Sequence, residues 1–167
     1  GKPTGTSQSS LALALARAGH AVFSVDVRGA GETDPRVRST LLPLTQPDHQ
    51  QWRFDFCAAD SAQAGTTILA MQIFDVVRAT DYLAGRADLR GRSIMLAGEG
   101  LGGVWALAAA AFDDRPGGVV CVRTVPSYTL VVGSQYYLVR DYFWTPGALR
   151  DFDLPDLAAL AAPRPVM

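Results

Sequence analysis

The chain has 167 residues, 49% of them apolar and 19% charged, with a formal net charge of −1. That length supports one domain with a real core, and the near-zero charge excludes the broad basic footprint of a nucleic-acid binder or a protein held on anionic lipid. Arg and Asp residues interrupt every apolar run before it reaches membrane-spanning length, so no transmembrane helix and no membrane partner are expected.

Residues 1–10, GKPTGTSQSS, are small and polar. Gly1-Lys2 lacks the four-residue lead of a phosphate-binding loop, so the segment reads as a loop ending in a helix N-cap near Ser9. Residues 11–18 read as a short apolar helix stopped by Gly19. His20 then leads into residues 21–27, AVFSVDV, which read as a buried parallel strand. His20 stands at the start of that strand, opposite the end where α/β sites gather, and is read as structural. Residues 26–33 form a charged turn in which Arg28 and Glu32 are expected to pair. Residues 34–60, with Pro35, Pro43 and Pro47, read as an irregular surface excursion carrying a solvated His49. Cys57 and Cys121 have no metal or framework spacing and read as buried apolar residues.

A longer helix is expected from Ser61 or Thr66 to Leu83, with a core stripe of Ile68, Met71, Val76, Ala79 and Leu83. Residues 84–92 are its exit and a turn. Then comes the stretch on which the functional reading depends, residues 93–111, SIMLAGEGLGGVWALAAAA. It reads as a strand (Ile94, Met95, Leu96, Ala97), a glycine-crowded turn and an alanine-rich helix. Residues 113–118 end that helix, and Val119, Val120, Cys121 and Val122 form the next strand. Residues 123–144 are aromatic-rich and read as a loop plus a short helix over the site. Residues 153–160, DLPDLAAL, read as a helix with Pro155 in its first turn, and Val166 begins a further strand. This alternation implies an α/β fold: a mostly parallel sheet with helices on both faces.

Two motifs compete for the glycine turn. Gly98, Gly100 and Gly103 fit G-x-G-x-x-G, the dinucleotide fingerprint, with a strand before and a helix after. That fold wants an acid at the tip of the next strand for the ribose hydroxyls. Here the tip reads Cys121-Val122-Arg123-Thr124, with only Arg123 to meet a 2′-phosphate. The alternative is a nucleophile elbow, Gly98-Glu99-Gly100-Leu101-Gly102. Small neighbours flank its apex because strand and helix nearly collide.

Three segments in order carry a resemblance. They are Ala18-Gly19-His20-Ala21-Val22 running into Asp26-Val27-Arg28-Gly29-Ala30-Gly31-Glu32-Thr33; Ala79-Thr80-Asp81-Tyr82-Leu83 before the 94–103 stretch; and Asp153-Leu154-Pro155-Asp156-Leu157 before Ala162-Pro163-Arg164-Pro165-Val166. Together they resemble the α/β-hydrolases related to acetyl xylan esterases and to serine peptidases of the prolyl-oligopeptidase type. The resemblance implies an incomplete hydrolase domain over residues 1–167, without its first and last strands, in a protein that is expected to be soluble. It implies a small ester or carbohydrate-ester ligand and no cofactor or metal.

The resemblance also places the family's nucleophilic serine on Gly100. It makes the Leu101 N–H the first oxyanion donor, with the second near Gly1-Lys2. The family's acid and histidine fall past Met167, and neither His20 nor His49 matches the histidine. Acyl transfer there needs a hydroxyl nucleophile, a base and an orienting acid. Gly100 therefore predicts a domain without ordinary serine-esterase activity. The alternatives are an enzyme using residues outside this stretch or an unusual nucleophile, and a dinucleotide-binding domain. Glu99 precedes the apex and is expected to point away from the pocket.

Overall fold

The computed structural model describes residues 11–30, 33, 58–135 and 143–167. The chain divides into two compact units, Gly1–Leu42 and Pro43–Met167. In the first, α1 (Leu11–Arg17) forms as its apolar run predicts. It stops where Gly19 takes φ +90°, a conformation that glycine adopts without a Cβ penalty. The segment after it departs from expectation. Residues 21–27 form no strand. A strand exists through its ladder, and β-branched composition alone does not create one. Val22, Phe23 and Val25 stand 39%, 48% and 38% exposed, whereas Val27 is buried. The turn that follows is real. The Thr33 hydroxyl donates to the Val27 carbonyl at 2.5 Å, and the Ala30 N–H donates to that carbonyl at 3.0 Å. Glu32, His49 and Cys57 lie outside the described residues, and so does most of the expected excursion.

In the second unit, residues 58–63 are helical, and α2 (Ile68–Gly85) follows. Thr67 caps it by accepting the Ala70 N–H at 3.0 Å. Its buried line runs through Ile68, Leu69, Gln72 and Thr80 rather than the predicted all-apolar stripe. Thr80 is tolerated there because its hydroxyl donates back to the Val76 carbonyl at 3.1 Å. Phe74 and Tyr82 face outward.

The strand β1 (Ile94–Glu99) runs two residues beyond the expected Ala97, and β2 (Pro116–Val122) begins before the expected Val119. They pair in parallel, Leu96 beside Val119 and Glu99 beside Val122. The crossover between them is α3 (Leu101–Phe112), the alanine-rich helix. Ala106, Ala108, Ala109 and Ala110 are all buried, and short side chains let this helix lie close on both strands. After β2 come α4 (Tyr128–Val132) and α5 (Leu154–Ala161). Helices α2 and α5 flank α3, so Leu69, Val104, Leu107, Val119, Tyr128, Leu154 and Leu157 share one core. Each such large side chain taken out of water contributes about 1.5–3 kcal/mol.

The last residues add to the sheet as expected at Val166, which bridges in parallel to Val119. Val119 N–H donates to Pro165 O at 3.0 Å, and Met167 N–H donates to Val119 O at 3.0 Å. Arg164 fixes the approach. Its guanidinium donates to the carbonyls of Ala110 (2.7 Å), Asp113 (2.6 Å) and Ala161 (3.0 Å). It thereby ties the C-terminal ends of α3 and α5 together, with the Ala161 carbonyl also accepting the Arg164 backbone N–H at 3.1 Å.

Candidate functional site

The turn from β1 into α3 is built by close approach. A Cβ on Gly98 would overlap the Gly102 carbonyl, and one on Gly103 would overlap the Thr124 side chain. These two glycines are set by packing between strand, helix and the end of β2. Gly102 is less constrained, its nearest neighbour being Trp105 Cε3 at 4.0 Å. Gly100 differs from all three. It takes φ 57° and ψ −120°, positive-φ backbone that L side chains rarely adopt. A Cβ there meets no heavy atom within 4 Å among the described residues.

Two hydrogen bonds hold this conformation. The Gly100 N–H donates to Val122 O at 2.9 Å, tying the apex to the end of β2, and the Gly100 carbonyl accepts the Gly103 N–H at 3.1 Å. Leu101 is the first residue of α3, so its N–H has no intrahelical acceptor. The predicted site residues Gly98, Gly100, Leu101 and Gly103 are thus together on one turn. The residue at the apex of that turn, Gly100, carries no side chain.

The flanks of the turn are charged. Glu99 ends β1 and its carboxylate pairs with the Arg123 guanidinium. Both are surface groups, their side chains 47% and 79% exposed. Glu99 is thereby engaged across the strand tips rather than with the apex. Arg123 has φ 51°, which the sequence does not announce. The tip of β2 offers no carboxylate, and its Thr124 side chain packs onto Gly103. Cys121 is half-buried, its thiol donating toward Gly103 O at 3.5 Å, and burial pushes its pKa up. A thiol so placed is a poor source of thiolate. His20 is exposed in the other unit.

A polar centre that sequence reasoning missed lies in the segment after β2. Asp153 caps α5, accepting the Leu154 N–H at 2.7 Å, and its own N–H donates to Asp156 at 2.8 Å. The same carboxylate accepts the Ser127 hydroxyl at 2.7 Å and the N–H groups of Tyr128 (2.6 Å) and Thr129 (3.1 Å). Burial alone would raise its pKa. The hydrogen bonds outweigh burial and hold the carboxyl well below the usual carboxylate range. The Asp-x-x-Asp spacing was a legible signal for the α5 cap. Nothing local marks Ser127 as its partner 26 residues away. Among the described residues no group of His, Cys, Asp and Glu is arranged to hold a metal ion.

No family model matches the chain. Its sequence is 25% identical over 154 residues to the Bacillus subtilis (strain 168) protein named "Putative hydrolase YtaP", a match covering 90% of this chain and 46% of that protein. Its structure matches the crystal structure of "a putative acetyl xylan esterase" from Bacteroides fragilis NCTC 9343 with a TM-score of 0.70 and 20% identity. That match covers 93% of this chain and 40% of the esterase chain. The chain therefore spans less than half the length of each. What these likenesses establish is that the chain has a hydrolase-like α/β fold.

Proposed function

We propose that the chain is part of a domain related to carboxylic ester hydrolases and has no ordinary serine-esterase activity, because Gly100 stands at the nucleophile position. The observation that carries this reading is the apex itself. Gly100 holds positive-φ backbone between β1 and α3, with Gly98 packed against Gly102 beneath it, and has no side chain to acylate. In a hydroxyl-based acyl transfer the hydroxyl oxygen forms the new bond and its proton goes to a base. Neither event has an atom to act on at Gly100. Loss of a triad member costs about 10⁴ to 10⁶ in kcat. The ligand class to expect is a small ester or carbohydrate ester, held by binding contacts and by N–H donors such as Leu101.

The test is hydrolysis of short acyl esters by the full-length protein, wild type against Gly100→Ser. The wild type is expected to show no turnover above buffer. Turnover near an ordinary enzymatic kcat of about 10 s⁻¹ would overturn the reading. The open space around Gly100 makes the serine variant sterically feasible. Intact mass after exposure to a fluorophosphonate would then report whether a hydroxyl placed there is activated.

A further inference from the structure

Beyond β2, α4 and the turn around Gly147 border a groove of about 360 Å³. Small-molecule sites run from about 300 to 1,000 Å³, so this one is at the small end. Its floor is Tyr128 and Ala148, both buried. Tyr128 is held by two rings: edge-on to Phe143 with centroids 5.3 Å apart, and tilted against Trp144 at 5.9 Å. Its hydroxyl is already committed to the Phe143 carbonyl at 3.4 Å, and burial pushes its pKa up to about 12. The floor thus offers ring and hydrocarbon surface, with its hydroxyl engaged elsewhere. Val132 and Leu149 also line the groove, yet remain 58% and 46% exposed.

Among the described residues, one formal charge lines this apolar concavity, the guanidinium of Arg150. Among the described residues it makes no ion pair with a carboxylate, as is also true of Arg17, Arg90 and Arg92, whereas Arg78, Arg86, Arg115, Arg123 and Arg164 each have one. Asp153, which docks α4, is saturated by the donors it already accepts. Apolar walls beside one uncompensated cation complement a molecule with an apolar body and a single anionic end. A guanidinium fork matches a carboxylate in two parallel hydrogen bonds.

We propose that this groove binds a small amphipathic carboxylate, an aryl or short-chain acid, with its body against Tyr128, Trp144 and Leu149 and its carboxylate on Arg150. The inference does not depend on the role of Gly100. It is tested by calorimetric titration of the full-length protein with phenylacetate and with phenylacetamide, its uncharged counterpart. Phenylacetate is expected to saturate and to bind at least about tenfold more tightly than the amide. Arg150→Gln, at an exposed position, is expected to remove that preference while leaving amide affinity and thermal melt unchanged. Val132→Asp, also exposed, is expected to abolish phenylacetate binding. Absence of saturation up to about 10 mM overturns the proposal. So does equal affinity for the two probes, or a preference that survives Arg150→Gln.

Discussion

Gly98, Gly100 and Gly103 look alike in the sequence but answer to different constraints. At Gly98 and Gly103 any side chain collides, with backbone in the first case and Thr124 in the second. Overpacking of this kind costs about 1–3 kcal/mol, and more where the obstacle is backbone. Gly98→Ala is therefore expected to lower the free energy of unfolding in urea by about 3 kcal/mol. At Gly100 there is room but the backbone is unfavourable to a side chain, so Gly100→Ala should cost only about 1–2 kcal/mol. A reversal of this order would mean that the turn relaxes on substitution. The small residues around the apex were legible because the motif spaces them. Which of them packing requires was not, because the obstacles at Gly103 come from another strand's end.

At the scale of elements, two side chains do more than their local motifs indicate. Asp153 reads as a helix cap and is one, yet it also docks α4 through Ser127, Tyr128 and Thr129. Its folded-state pKa lies below that of the unfolded chain. The stability it contributes is therefore fully present above about pH 4 and is lost as pH falls through the folded value. Asp113 acts in the same direction through its hydrogen bonds from Arg115, which outweigh the opposing effect of burial. Unfolding midpoints measured from pH 6 down to about pH 2 should fall, and Asp153→Asn should flatten that fall without removing it. An unchanged acid profile in the variant would show that α4 is held by packing alone. Arg164 likewise joins the ends of α3 and α5, with its side chain 17% exposed. Arg164→Ala removes the guanidinium from the Ala110 and Asp113 carbonyls, while Ala161 keeps the backbone N–H of residue 164, and is expected to cost about 2–3 kcal/mol in chemical denaturation. Both residues sit in recognisable local signals, DLPD and APRP. Their long-range partners, 26 and 54 residues away, follow only from how the helices pack.

At the scale of the molecule, apolar surface remains open. Phe112, Leu160 and Met95 are 70%, 60% and 46% exposed, and β1 pairs only with β2 among the described residues. An unpaired strand edge beside apolar surface promotes association. Residues 1–167 expressed alone are expected to be poorly soluble, to bind a hydrophobic dye and to melt over a broad range. A sharp, cooperative melt of an isolated monomer would count against this. No helix among the described residues is long and apolar enough to cross a membrane.

The sequence by itself determined the parallel α/β pattern, the end of the alanine-rich helix to within a residue, and the position of the glycine turn. Those follow from periodicity, helix stops and the steric demands of a short strand-to-helix connection, all of which are local. The tertiary structure alone decided that residues 21–27 form no strand. It also decided that the buried line of α2 passes through Gln72 and Thr80, that Glu99 is engaged by Arg123, and that Asp153 holds two helices. Each depends on a partner distant in the chain, and composition and spacing carry no record of that partner.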